Sequence, residues 1–334
     1  MCATVAVGTA ACGSDSSSSS ASSGSGSSGS GSSSSASTTA AKSFDYGYSI
    51  ATGQNPWMTA IGTAAQAVTA PLGGKADVTD AQLDPAKAVP QIQRFITDGV
   101  NSITVAPAQV PQSVQAVLTR AHDQGIHTFA LEWSYADLTG PPPAPIDGQV
   151  LVDRSGVARG VADAINRDNP NGAKVIYIGL PYPVVGIDYF EATLKSALGS
   201  SRLVANLDNP SDNAQGALGP LQGAISANPD ANAVVTYNGP SALAAVQAVR
   251  SAGLTDRVKV YNIQLDTATA AAVRDGTITA SWDLNPPQLG TALGRLIAAA
   301  GTGAPKSEWA RTVMVRAPEY TRDNIDSWQD WATK

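Results

Sequence analysis

The chain has 334 residues, a net charge of −6 and only 14% charged side chains. Its 21 Lys and Arg residues are scattered singly and form no basic block, which argues against nucleic acid as a partner. The aromatic fraction is 6% while Ala, Val and Gly are abundant, a composition that suits an α/β protein.

The amino-terminal region differs in composition from the rest of the chain. From Ser14 to about Thr39 nearly every residue is Ser, Gly, Ala or Thr. Such a segment cannot bury enough apolar surface to offset the entropy lost on ordering, so we predict a disordered tether over residues 13–42. Residues 24–29 match a dinucleotide-binding fingerprint by composition alone, because no strand precedes them and no helix follows.

Both cysteines, Cys2 and Cys12, precede the tether. The small apolar segment 4–11 followed by Cys12 resembles the lipobox of a bacterial lipoprotein of actinobacterial style, although Thr9 stands where Leu is usual. The resemblance implies that residues 1–12 are a signal-peptide remnant and that Cys12 carries the lipid. The alternative is an apolar start with an incidental cysteine. No run of about 18 apolar residues occurs, so we expect a membrane contact through the lipid alone.

Helix and strand patterns alternate after the tether. Residues 43–51 are predicted as a strand, and helical spacing resumes over residues 61–68. In the stretch 79–107, apolar residues recur every three or four positions up to Gly99, and a β-branched strand follows at 102–105. Pro90 lies inside that helix, so we expect a kink or a later start. Further strands are predicted at residues 128–131, 173–178, 202–205, 233–237, 258–263 and 278–282. This rhythm indicates parallel, doubly wound sheets.

The stretch 79–107 reads TDAQLDPAKAVPQIQRFITDGVNSITVAP. It resembles the type 1 periplasmic solute-binding proteins of ABC transporters, in their sugar-binding, ribose-binding-protein-like branch, and most of the chain downstream continues that pattern. The resemblance implies an α/β fold of two doubly wound parallel-sheet lobes joined by a hinge of three crossovers. Lobe 1 is expected to comprise residues 43–151 and 285–312, and lobe 2 residues 152–284 and 313–334.

The resemblance also implies a function. We expect an extracytoplasmic, lipid-anchored monomer that binds a neutral sugar or polyol by hinge closure and delivers it to an ABC permease. The alternative is a receptor that presents a small molecule, such as an autoinducer-2-like ligand, to a signalling partner. We expect neither an enzyme nor a cofactor, because no acid–base pair or nucleophile is recognisable. The histidines His122 and His127 lack partners at metal-ligand spacing, so no metal site is expected.

Candidate ligand-binding residues in lobe 1 follow its strands. The resemblance implies that the loop with Asn55, Trp57 and Met58 projects polar and aromatic groups into the cleft; the alternatives are a helix start for Asn55 and a core position for Trp57. Glu132 and Trp133 follow another strand, where relatives carry Asp-Arg. Glu132 can keep the role of hydroxyl acceptor unless it is merely solvated. Trp133 cannot replace the Arg, so the ligand or its orientation should differ from ribose.

The remaining candidates belong to lobe 2 and the crossovers. They are Arg154, Tyr182, Asn238, Gln264, Asp283 and Asn285. Asn238 aligns with a sugar-binding Asn, although a turn is the alternative, and Tyr182 is equally compatible with a surface loop. Gln264 stands where relatives have Asp. Trp282-Asp283 resembles a pair in relatives that bind rhamnose or autoinducer-2, the alternative for Trp282 being hinge packing. We expect one ligand to join Glu132 to Asn238, and Trp133 and Trp282 to report closure by fluorescence.

Overall fold

The computed structural model describes residues 43–106, 111–181 and 183–331. Residues 1–42, which include Cys12 and the predicted tether, lie outside this part of the chain, as does Tyr182. Within it the helices and strands are organised around two six-stranded sheets, one in each lobe.

The sheet of lobe 1 is entirely parallel. Its strands are β1 (Phe44–Ile50), β2 (Gly74–Asp80), β3 (Ser102–Ala106), β4 (His127–Leu131), β5 (Gly148–Val152) and β11 (Thr312–Val315). They lie in the order β11-β5-β4-β3-β1-β2. Every residue of β3 and β5 is buried, as expected for parallel strands covered by helices on both faces.

The sheet of lobe 2 repeats this arrangement with one exception. Its strands are β6 (Lys174–Gly179), β7 (Arg202–Asp208), β8 (Ala233–Thr236), β9 (Lys259–Asn262), β10 (Ala280–Trp282) and β12 (Glu319–Thr321). The order is β12-β10-β9-β8-β6-β7, and β12 at the edge runs antiparallel to β10. The predicted fold class, two doubly wound α/β lobes, is therefore confirmed.

Helices connect the strands in both lobes. They are α1 (Pro56–Thr69), α2 (Pro85–Asp98), α3 (Pro111–Asp123), α4 (Arg154–Asp168), α5 (Val185–Ala197), α6 (Ala214–Ala227), α7 (Gly239–Ser251), α8 (Thr267–Asp275), α9 (Pro286–Gly301) and α10 (Lys306–Trp309). Many begin at an Asn or Asp whose side chain accepts a hydrogen bond from the first turn, which satisfies a backbone donor that has no helical partner. Helix α2 begins at Pro85, so a start after Pro90 is wrong; Pro90 is exposed and the helix continues through it.

The chain crosses between the lobes three times. It leaves β5 for α4 at residues 152–154, leaves β10 for α9 at 282–286, and passes from β11 to β12 at 315–319. The expected third boundary was residue 312. Strand β11 instead pairs with β5 through Val315, because its four residues extend the edge of the first sheet before the chain turns away.

Two further observations concern the described residues. None of their helices combines the length and apolarity needed to cross a bilayer. No cluster of three or more His, Cys, Asp or Glu side chains among them is arranged to hold a metal ion.

Candidate ligand-binding cleft

The carboxyl ends of the parallel strands of both sheets meet at a cleft between the lobes, which is where ligands of such sheets bind. Two adjoining cavities occupy it, of about 620 and about 380 Å³. Six residues line both cavities and so connect them: Asn55, Trp57, Leu83, Asp212, Asn238 and Gln264.

The two cavities differ in chemistry. The larger one, which we call the polar cavity, is lined by carboxylates and amides that include Gln54, Asn55, Asp80, Gln82, Asp212 and Asp266. The smaller one, which we call the apolar cavity, is lined mainly by side chains such as Met58, Pro85, Leu180, Val184, Ile187 and Leu284. The cleft therefore has one cavity suited to hydroxyl groups and one suited mainly to hydrocarbon.

Glu132 and Arg154 form a buried ion pair at the apolar cavity. The Arg154 Nε donates to Glu132 Oε1 at 2.8 Å and Nη2 donates to Oε2 at 3.0 Å, and both residues are at least 95% buried. Burial by itself lowers the pKa of Arg154, but the charge of Glu132 and its hydrogen bonds outweigh this and raise the pKa above its usual value. Arg154 therefore stays cationic and bonds to Glu132 through Nε and Nη2, while its buried Nη1 has no hydrogen-bond partner among the described residues.

This pair changes the role expected for Glu132. Oε1 also accepts a hydrogen bond from the Tyr135 hydroxyl at 2.5 Å, so both carboxylate oxygens already have protein donors. A Cβ at Gly186, in the first turn of α5, would lie 2.5 Å from Oε1, so only glycine allows this close approach. Glu132 is at the cleft as expected, but it is not a free acceptor.

Trp133 does not line either cavity, contrary to expectation. It is 6% exposed and packs in the apolar core of lobe 1 with Ile146 and Val105. Glu132 has a left-handed backbone conformation (φ 56°), which interrupts the regular alternation of side chains at the end of β4. The cation beside Glu132 is Arg154, the first residue of α4 after the first crossover.

Asp212 and Asn238 form the polar group of lobe 2. Asn238 Nδ2 donates to Asp212 Oδ1 at 2.8 Å, the Tyr237 hydroxyl donates to the same oxygen, and Asn238 Oδ1 caps α7 by accepting from Ser241 N at 2.9 Å. Burial raises the pKa of Asp212, and the bonds from Tyr237 and Asn238 lower it in part. Asn238 therefore fulfils both interpretations, as a helix cap and as a cleft residue.

The other expected residues of the cleft are placed as follows. Asn55 lines both cavities while its Oδ1 caps α1 by accepting from Trp57 N at 3.0 Å. Trp57 is 5% exposed, and its Nε1 has no hydrogen-bond partner among the described residues. Met58 lines the apolar cavity, and Gln264 follows β9 and lines both.

Asp283 and Asn285 line neither cavity. Asp283 accepts hydrogen bonds from Asn285 N at 2.7 Å and from Trp328 Nε1 at 2.9 Å, and Asn285 caps α9. Asp283 thereby joins the second crossover to Trp328 of the carboxyl-terminal segment, whereas the side-chain oxygen of Asn285 is used locally, where it accepts from Gln288 N. Trp282 is 2% exposed and packs against Gly160 of α4, which agrees with the hinge-packing alternative.

The sequence interpretation missed several residues of the cleft. Asp212 lies in the loop just before α6, which begins at Ala214 with Asn213 as its cap. Tyr237 directly precedes Asn238, so its position at a strand end was an available signal. Gln82 and Leu83 both have left-handed backbone conformations (φ 54° and 60°), which nothing in their residue types indicates.

A family model described as periplasmic binding protein domain matches residues 46–305. The chain belongs to this family. Its members are solute-binding proteins rather than enzymes and act outside the cytoplasm. The resemblance of the sequence to the type 1 solute-binding proteins is thereby confirmed.

Known relatives extend this assignment. The ribose import binding protein of Salmonella typhimurium is 24% identical over 243 residues, which cover 72% of this chain and 79% of the relative. Among solved structures, the Caulobacter myo-inositol binding protein bound to myo-inositol has a TM-score of 0.73 and 22% identity, covering 85% of this chain and 95% of that one. An ABC transporter solute-binding protein from Mycobacterium smegmatis with bound glycerol has a TM-score of 0.73 and 23% identity, covering 86% and 96%. These structures share the fold.

Proposed function

We propose that the protein is the lipid-anchored solute-binding component of an ABC importer, and that it closes its lobes on a neutral molecule of the sugar or polyol class. The observation that carries this proposal is the charge of the cleft. Among the described residues that line it, Arg154 is the one cation, and Glu132 neutralises it. Asp80, Asp212 and Asp266 remain as acceptors, so hydroxyl donors are favoured and an anionic ligand would face unpaired carboxylates.

The relatives support the ligand class. One is named as a ribose import protein, and solved structures of the same fold hold myo-inositol, glycerol and allitol. The three crossings support the mechanism, because short connections between two rigid sheets allow the walls of a cleft to rotate.

A thermal-shift screen tests the ligand class. Pentoses, hexoses, deoxyhexoses, inositols and linear polyols should include at least one compound that raises the melting temperature. A ligand that binds only the folded state adds about 2.7 kcal/mol at a hundred times its dissociation constant. Stabilisation by amino acids or organic acids alone would overturn the carbohydrate assignment.

The lipid anchor is tested separately. With Cys12 lipidated, roughly 30 tether residues would give a root-mean-square reach of about 30 Å, so the lobes would move freely near the membrane. We expect the Cys12→Ser protein to leave the membrane fraction of its host, whereas Cys2→Ser, the matched control, stays bound. Equal membrane retention of both variants would contradict lipidation at Cys12.

A further inference from the structure

The two cavities of the cleft differ in a way that restricts the ligand. Building on the proposed function, we infer that the ligand is amphipathic: a hydroxylated part binds in the polar cavity, and an apolar substituent, as in an alkyl or aryl glycoside, fills the apolar cavity.

The apolar cavity offers little to a bare sugar. Hydrocarbon side chains from both lobes line it, with Met58 and Pro85 on one side and Val184 and Ile187 on the other. Most of its ion pair is satisfied internally, because Glu132 and Arg154 bond to each other, and Arg154 Nη1 is the one nitrogen of the guanidinium without a hydrogen-bond partner among the described residues. Hydroxyl groups enclosed against the hydrocarbon side chains, away from Arg154 Nη1 and from the residues shared with the polar cavity, would lose water without gaining protein partners, which is unfavourable. An alkyl or aryl group loses nothing by the same transfer.

The polar cavity is richer in hydrogen-bonding groups, although Trp57 and Trp331 also line it. Asp80, Asp212 and Asp266 contribute carboxylates, Gln54 and Gln82 contribute amides, and no cation occurs among its described lining residues. Hydroxyl groups can donate to the carboxylates and exchange hydrogen bonds with the amides. Because the two cavities share lining residues, one ligand can occupy both.

Leu83 lies at the junction of the cavities and is exposed to 47%. Both it and Gln82 have positive φ, and the Leu83 N donates to Ala51 O at 2.7 Å, which holds the turn. Two successive non-glycine residues with left-handed backbone conformations are energetically costly, and such a cost is tolerated mainly where function requires it. The turn presents an apolar side chain where a substituent entering the apolar cavity would cover it.

Calorimetric titration of the full chain tests the inference with matched probes. D-glucose, D-galactose and D-ribose are each compared with their phenyl and n-butyl glycosides in both anomeric forms. We expect at least one glycoside to bind about tenfold more tightly than its parent, the factor expected for burial of roughly two methylene groups. Parent sugars that bind at least as tightly as all their glycosides would overturn the inference and leave the proposed function intact. Absence of binding by every sugar and glycoside would also overturn the inference, whereas the proposed function fails only if the inositols and polyols of the thermal-shift screen give no stabilisation either.

A variant pair links the preference to the turn. Leu83→Asn removes the apolar surface, and Asn tolerates a left-handed backbone, so the fold should persist. We expect the ratio of glycoside to parent affinity to fall by about threefold or more, as for loss of a methylene-sized contact. Leu72→Asn is the control, because Leu72 is similarly exposed at 41% and lines neither cavity. An unchanged ratio in a folded Leu83→Asn protein would overturn the inference.

Discussion

Arg154 and Glu132 are buried against each other, and among the described residues each is the only charged partner of the other. Removal of either side chain should therefore lower the free energy of unfolding. Arg154→Met leaves the Glu132 carboxylate in an apolar environment without its partner, so we expect a loss of about 3–5 kcal/mol in the free energy of unfolding, measured by urea denaturation. The double variant with Glu132→Gln should recover much of the loss. Glu132→Ala should likewise destabilise the unliganded protein.

An exposed ion pair provides the control for that experiment. Arg94 bonds to Asp77, and both side chains are more than 40% exposed. Arg94→Met should therefore cost about 1 kcal/mol or less. If Arg154→Met costs no more than Arg94→Met, the buried pair does not have the energetic role that its geometry indicates.

Asp212 makes stability depend on pH. Because burial raises its pKa in the folded state, the ionised form costs stability at neutral pH, and this cost disappears as the pH falls through the raised value towards the unfolded one. Asp212→Asn keeps an oxygen acceptor and suits the φ of 49°. We expect this variant to melt higher than the parent at pH 7, with an advantage that shrinks near pH 4. A difference that grows on acidification would contradict the raised pKa.

Helices α1 and α9 of lobe 1 pack unusually closely, and two glycines permit it. A Cβ at Gly290 would lie 2.2 Å from the Ile61 carbonyl oxygen, and one at Gly294 would lie 2.7 Å from that of Ala65. We expect Gly290→Ala and Gly294→Ala each to destabilise the protein by about 1–3 kcal/mol, because the backbones of α1 and α9 would have to move apart to admit the added methyl group. Thermal denaturation measures this.

Gly219 of α6 is the matched helical control. It is exposed, and a Cβ there meets nothing within 4 Å. Gly219→Ala should raise stability by roughly 0.5–1 kcal/mol, since alanine has the higher helix propensity. Stabilisation at all three positions would show that α1 and α9 are not in close contact.

Closure of the whole molecule should be visible through the tryptophans at the cleft. Trp57 and Trp331 line the polar cavity, whereas Trp133 and Trp309 are buried in lobe 1. At saturating concentration of the best sugar or glycoside, we expect Trp57→Phe with Trp331→Phe to lose most of the ligand-induced fluorescence change. Trp309→Phe should retain it. If the fluorescence change is lost in Trp309→Phe instead, the ligand-induced movement does not occur at the cleft.

Local patterns in the sequence were sufficient for the elements and their class. Helical spacing with Gly99 as a stop predicted α2, the short β-branched run after it predicted β3, and the alternation of elements predicted parallel sheets. These signals depend on residues that are close together in the chain, so they can be recognised in a single sequence. Strand-end position also placed Asn55, Glu132 and Asn238 at the cleft.

What the tertiary structure alone decided is which side chains at the strand ends have polar capacity left for a ligand. A left-handed residue at Glu132 removes Trp133 from the cleft, and a guanidinium 22 positions later occupies the carboxylate oxygens. The Asp283 carboxylate likewise accepts a hydrogen bond from Trp328, 45 positions away. Spacing along the chain specifies where a strand ends, whereas hydrogen bonds between distant residues depend on how the lobes pack, and no local pattern encodes that.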